Sequence, residues 1–142
     1  MPFIRVTAQE GTFDKATQNR FMKEITDAVL TAEGAHPEDS GAQSLAWAYY
    51  TEQKKGDLYV GNQTMDNAPV LVRVTTPKGA LNQEANSALA ISINAIVNDF
   101  IGAYESRLNH WLLMDEIPET GWASNGVVFS IDDVKSAMNI PN

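Results

Sequence analysis

The chain has 142 residues, 44% of them hydrophobic, a formal net charge of −8 and no cysteine. Such a length fits one domain with a sizeable core, and the missing thiols exclude disulfides, thiolate nucleophiles and cysteine-ligated metal centres. The acidic balance, unrelieved by any basic stripe interleaved with aromatics, excludes nucleic acid as a partner.

In chain order, Phe3 to Ala8 is a short β-branched run that reads as a strand, and "EGTFD" supplies a glycine turn with Thr12 or Asp14 as a helix cap. From Lys15 to about Glu33 the apolar residues Phe21, Ile25, Ala28, Val29 and Ala32 recur at helical spacing, and Gly34 is the expected stop. The linker "AHPEDSG" leads into a strand within "AQSLAWAYYT", and "KKGD" turns the chain into a small hairpin ending near "LYVGN". Val70 to Thr75 is the next strand, "PKGALN" a turn and cap, and Gln83 to Ile101 a helix with its stripe on Leu89, Ile93, Ile96, Val97 and Phe100. "NHWLLMD" is the last long strand, "IPETGWASNG" a turn-rich return, and "VVFSIDDVKSAMNIPN" a C-terminal extension expected to pack on a neighbour or fray. No segment approaches the roughly 20 consecutive apolar residues that cross a bilayer, and the start lacks a basic-then-apolar signal pattern. The expected location is therefore cytoplasmic, without membrane association.

The chain also repeats itself. "IRVTAQEGTFD" from Ile4 matches "VRVTTPKGALN" from Val72, and, more weakly, "TEQKKGDLYVGN" from Thr51 matches "DEIPETGWASNG" from Asp115. One domain over residues 1–142 is expected, with repeat one at 2–66, repeat two at 69–130 and an extension at 131–142. A helix of this length between two strands has the length of a crossover connection, so each repeat reads as β-α-β with parallel strands. The fold class is then α+β: a four-stranded, mainly parallel sheet with two helices on one face, plus short hairpin strands. The other face, expected to carry Leu45, Trp47 and Leu112, is left uncovered in a monomer, which argues for a homo-oligomer.

The terminal Met-Pro-Phe-Ile, the "EGTFD" turn and "TEQKKGDLYVGN" together resemble the pattern of the 4-oxalocrotonate tautomerase family. The doubled unit resembles the fused members of the tautomerase superfamily, which include macrophage migration inhibitory factor, malonate semialdehyde decarboxylase and cis-3-chloroacrylic acid dehalogenase. "KEITDAV" and "NHWLLMDEIP" lie nearest the dehalogenase branch, and the likeness covers about residues 2–126.

The resemblance implies a cofactor-independent tautomerase acting on 2-oxo or enol carboxylic acids, with Pro2 as general base once Met1 is removed. A secondary amine is neutral near pH 7 if burial and neighbouring cations depress its pKa. The alternative chemistry is a decarboxylase, hydratase or dehalogenase-like reaction with protonated Pro2 as general acid. Lys78 is implied as the surviving substrate cation, Arg73 matches a strand arginine, and Trp111 matches a pocket tyrosine. Trp122 stands where the family carries an aromatic, and Leu113 falls where the dehalogenase has a strand tyrosine. Several family arginines are replaced here, by Thr12, Trp47, Pro77 and Ala80, and the dehalogenase glutamate falls on Ser124 or Asn125. Arg5 mirrors Arg73, which suggests a structural pairing for both. His36 and His110 are the two imidazoles and stand far apart, so neither a metal nor another cofactor is expected. The implied partners are a small carboxylate substrate and two further copies in a homotrimer, offering three prolines because Val70, the second-repeat counterpart of Pro2, has only an amide nitrogen. Two other readings fit the residues: a binding protein that kept the fold and lost catalysis, and a ferredoxin-like split β-α-β module.

Overall fold

A computed structural model describes residues 1–141. The strands and helices follow the order β1 (Phe3–Gln9), α1 (Lys15–Ala32), α2 (Ser40–Leu45), β2 (Trp47–Gln53), β3 (Tyr59–Val60), β4 (Gln63–Thr64), β5 (Val70–Pro77), α3 (Gln83–Ile101), β6 (His110–Ile117), β7 (Ala123–Ser124), β8 (Val127–Val128) and α4 (Ile131–Ala137). The main sheet has the order β2-β1-β5-β6. β1 runs parallel to β2, and β5 runs parallel to β6. The two halves meet antiparallel through β1 and β5, with Arg5 opposite Arg73. The fold class is thus as expected, with two of three pairings parallel and two helices on one face.

Both long helices begin where local chemistry dictates. The Asp14 carboxylate accepts from the Thr17 N–H at 2.7 Å, and Asn82 Oδ1 accepts from the Ala85 N–H at 2.8 Å. Each cap satisfies one of the donors that a helix start leaves free. α1 ends at Gly34, whose φ of +86° is a conformation glycine adopts without steric cost. The core lies between the helices and the sheet. Ile4, Val6, Val72 and Val74 of the strands meet Phe21, Ile25, Leu89, Ile93 and Val97 of the helices, all at most 1% exposed. Phe21 stacks between Phe13 and Phe100, with ring centroids 4.8 and 5.2 Å away.

Four details depart from the sequence reading. Ser40–Leu45 is a short helix capped by Asp39, so the second strand starts only at Trp47. The small hairpin turns between Val60 and Gln63, after the "KKGD" turn rather than in it. Leu112 packs against the core, and the outward residues of β6 are its neighbours Trp111 and Leu113, at 63% and 42% exposure. Residues 131–141 of the C-terminal extension pack within the chain itself. Ser130 and Asp133 form a reciprocal capping box that starts α4. Val134 and Met138 are buried with Leu30, Ala35 and Ala42 in a second, smaller core of the same chain.

Candidate functional site

Strand direction decides what can meet the chain start. The first residues of β1 and β2 and the last residues of β5 and β6 share one end of the sheet, because Phe3 pairs with both Trp47 and Thr75. Pro2 is buried there, and its carbonyl accepts the Trp47 N–H at 3.2 Å. Beside it the second core folds back: α4 and the β7–β8 hairpin lie over the start of β1 and enclose a cavity of about 350 Å³. Met1, Phe3, Trp47, Trp122, Phe129 and Val134 are among its walls, with Ser124, Asn125 and Asp133 as polar members. A cavity of this size, apolar with few polar groups, suits a small organic ligand. Two larger grooves, of about 420 and 580 Å³, are polar or shallow, and neither touches the chain start.

The Met1 ammonium donates to Glu33 Oε2 at 3.0 Å and lies against the Met138 sulfur. The Glu33 side chain is 1% exposed, and its Oε1 is buried without a hydrogen-bond partner. Burial pushes the Glu33 carboxyl above its ordinary range, against the pull of the amine. Burial likewise pushes the terminal amine below its ordinary value, against the pull of Glu33. Desolvation thus works against both charges and leaves the pair dependent on each other. Trp122 adds an unused donor: its indole N–H is buried and unpartnered.

The sequence-derived candidates divide. Trp122 lines the cavity, and Pro2 lies buried between two of its wall residues, Met1 and Phe3, without lining it itself. Lys78 reaches the same sheet end, its N–H donating to the Ile117 carbonyl at 2.8 Å, but its side chain is exposed and does not line the cavity. Arg73 lies mid-strand on the outward face, and its Nε donates to Asp115 Oδ2 at 2.5 Å. Leu113 is its register neighbour on that face. Trp111 sits further toward the opposite end, beside Leu71 and away from Pro2. Arg73, Trp111 and Leu113 are therefore not brought to the chain start within one chain. Arg5 stands opposite Arg73 in the strand register, and its guanidinium lies over the Phe3 ring at 5.4 Å. His110 is at the far sheet end, bonded to Asn109 Oδ1 at 2.7 Å. Among the described residues no cluster of His, Cys, Asp or Glu is placed to hold a metal ion, and no helix is long and apolar enough to cross a membrane.

Glu33 is the residue that sequence reasoning missed. It was legible only as a polar residue at the end of a helix, just before a glycine. Its one signal is negative: the repeat that maps Ile4 onto Val72 maps Glu33 onto Ile101, so the first copy carries a charge where the second carries a hydrocarbon.

Neither a protein-family model nor a curated protein matches the chain. Solved structures do match. A wild-type fused 4-OT, solved as a symmetric trimer, is 23% identical with a TM-score of 0.72, over 89% of this chain and 94% of that one. A member of the cis-3-chloroacrylic acid dehalogenase family, N1, is 14% identical with a TM-score of 0.71, over 89% and 82%. A macrophage migration inhibitory factor-like protein from Entamoeba histolytica is 12% identical with a TM-score of 0.67, over 90% and 98%. The chain has the fused, two-repeat tautomerase fold. At these identities the likeness concerns the fold, and the site must be argued from its own residues. In this tautomerase fold the outward sheet face carries Trp47, Tyr49 and Trp111, exposed by 61%, 54% and 63%. That is a large apolar surface for a protein with so many charges elsewhere.

Proposed function

We propose that the chain is a cofactor-independent proton-transfer enzyme, a tautomerase of small enol or 2-oxo carboxylic acids, in which Pro2 is the acid–base group after Met1 is removed. The observation that carries this reading is the threading of the chain start into an apolar cavity walled by Trp47 and Trp122. With Met1 attached, the Pro2 nitrogen is an amide and has no basic lone pair. Without Met1, it is a secondary amine at the edge of that cavity. A neutral amine there takes a proton from the carbon next to a carbonyl and returns it to the far end of the resulting enol. Negative charge then builds on the carbonyl oxygen, where a preorganised donor is most effective.

Since no lysine or arginine lines the cavity, a substrate carboxylate needs a cation from elsewhere. Lys78 is the candidate on the same sheet end, and it serves as a point charge rather than a bidentate clamp. Arg73, Trp111 and Leu113 reach a substrate only where a neighbouring copy presents its outward face, which makes a homotrimer part of the proposal. Two likenesses support these readings: the trimeric fused 4-OT, and Pt0534, whose structure was obtained inactivated by 2-oxo-3-pentynoate and which is 17% identical with a TM-score of 0.73 over 92% and 96% of the chains.

Glu33 favours a second chemistry. A carboxylate close to the terminal nitrogen stabilises its cationic form, and a cationic Pro2 donates a proton in a decarboxylation or hydration rather than accepting one.

Intact mass comes first, because a retained Met1 leaves no amine on Pro2. In the Met1-free protein, turnover of phenylenolpyruvate and 2-hydroxymuconate by the wild type and by Pro2→Ala tests the enzyme reading. Loss of turnover in Pro2→Ala, and a mass increase on Pro2 after treatment with 2-oxo-3-pentynoate, are the expected results. Absence of any Pro2-dependent reaction on a panel of enol and unsaturated acids would leave the fold as a binding scaffold and sink the enzyme proposal.

A further inference from the structure

We infer that Glu33 is a positioning residue for the Pro2 amine: in the chain freed of Met1, its buried carboxylate is the counter-ion that receives the terminal nitrogen and holds its proton. The inference rests on the reading of Pro2 as the acid–base group and adds a partner that this reading does not contain.

Geometry carries it. Glu33 follows the last turn of α1, its side chain is 1% exposed, and among the described residues the only hydrogen-bond partner of that side chain is the amine at the chain start. A carboxylate is seldom buried to this degree without a partner, because its desolvation must be offset by a nearby charge or donors. The Pro2 nitrogen is joined to that of Met1 through two backbone atoms, which places it about 3 to 4 Å away. Removing Met1 therefore retracts the positive charge by little more than one atom's width. The start of β1 is held by the hydrogen bond from Trp47 N–H to the Pro2 carbonyl, so the freed proline keeps its place. Glu33 then has Oε2 vacated by the old amine and Oε1 that never had a partner. A prolinium nitrogen has two N–H bonds. One reaches Glu33, and the other faces the space that Met1 leaves beside the cavity.

The terminal amine is the one charged group that acts on the Glu33 carboxyl among the described residues, and the titratable groups of the neighbouring elements have other partners. Asp133 of α4 is engaged by the Ser130 N–H and hydroxyl. Asp39, ahead of α2, is held by the Ala42 N–H and by the Asn139 side chain. His36 in the intervening loop receives the Glu38 N–H on Nδ1. Lys135 of α4 makes no ion pair with Glu33, whose salt-bridge partner is the terminal amine.

The second repeat supplies the control within the molecule. Its counterpart of Pro2 is Val70, an amide inside the chain, and its counterpart of Glu33 is Ile101. That end is closed by neutral groups: Asn109 Nδ2 donates to Asn98 Oδ1 and to the Gly102 carbonyl, both at 2.7 Å. The carboxylate occurs in the copy that can present an amine and is absent from the copy that cannot.

The chemical consequence is a Pro2 that keeps its proton to higher pH than the same amine without Glu33. The test is a pair of titrations on Met1-free protein, verified by mass, carrying nitrogen-15 proline and carbon-13 glutamate. The Pro2 nitrogen resonance gives its midpoint in the wild type, Glu33→Gln and Glu33→Asp. Loss of the charge is expected to lower the midpoint by about one pH unit or more, with Glu33→Asp recovering part of it. Equal midpoints in wild type and a folded Glu33→Gln overturn the inference. Should Glu33→Gln fail to fold, the wild type still decides: the Glu33 carboxyl resonance must shift at the Pro2 midpoint, and a resonance that ignores that midpoint refutes the pairing. Neither titration needs a substrate. A protein that turns nothing over but shows the coupled titration removes the tautomerase reading and keeps the ion pair.

Discussion

Helix α4 walls the cavity at the chain start, and it comes closest to α2 at Gly41. A Cβ added at Gly41 would lie 2.5 Å from the Ala137 carbonyl oxygen, where ordinary contact begins at 3.4 Å. The obstacle is backbone, so no side-chain rotation relieves it, and Gly41→Ala must push α2 and α4 apart. Overpacking of this kind costs about 1–3 kcal/mol. Replacing glycine by alanine within a helix returns at most about 1 kcal/mol. The first effect exceeds the second, and the expected net loss is about 1–2 kcal/mol. Because Val134 and Met138, at 4% and 0% exposure, are what α4 buries, the loss should fall on that helix before the main core. Hydrogen exchange should show faster exchange of the α4 amides while those of α1 and α3 keep their protection. The urea midpoint should fall modestly, and the terminal amine should become easier to acylate. A Gly41→Ala protein with unchanged α4 exchange and a urea midpoint at or above the wild type would refute the packing argument.

Phe21→Ala removes a fully buried ring from the aromatic cluster and should cost about 3–5 kcal/mol in urea denaturation. Tyr50 has a buried hydroxyl without a partner, and its pKa is pushed up to about 12 by burial, with Glu52 adding to the shift. An acid whose folded pKa is raised contributes stability that is full below about pH 10 and is lost as pH rises toward that higher value. Because its hydroxyl is buried without a partner, Tyr50→Phe should stabilise the protein by about 1 kcal/mol at neutral pH, and it should remove the loss of stability at high pH. It should also remove the latest tyrosine step in an ultraviolet pH titration, and an unchanged titration would count against this placement of Tyr50. For the proposed trimer, the double variant Trp111→Lys with Leu113→Lys places two charges on the outward face and should sediment as a monomer with intact circular dichroism. A variant that still sediments as the wild type moves the subunit interface elsewhere.

Much of the fold was legible because its determinants are local. The helical spacing of Phe21, Ile25 and Val29, and of Leu89, Ile93 and Val97, marks the buried stripes correctly. The caps were readable to within a few residues, Thr12 or Asp14 for the first helix and "PKGALN" for the second, because short polar side chains before an apolar repeat favour that place; the structure decides for Asp14 and Asn82. The capping box of Ser130 and Asp133 was also present in the sequence, yet a short terminal helix has little local stability and is decided by what it docks on. Strand alternation showed that Trp111 and Leu112 point opposite ways. It did not show which of them faces the helices, since that is fixed by the neighbouring strands. Leu30 lies just beyond the main apolar stripe of α1, and it is buried by the second core rather than by the sheet.

By itself, then, the sequence determined two β-α-β units, their caps and their core stripes, because periodicity and capping act over a few residues. Its resemblance to the tautomerase superfamily pointed to Pro2 as the candidate acid–base group. Tertiary structure alone decided what surrounds it. The antiparallel junction of β1 with β5 carried Trp111 away from the chain start and left Arg73 with Asp115. The return of α4 brought Met138 and Val134 to the N-terminus, and the end of α1 brought Glu33 there, across 32 residues of sequence. Contacts of that range leave no periodic trace in a single sequence, since the desolvation that makes Glu33 consequential arises only when separate segments close over one another.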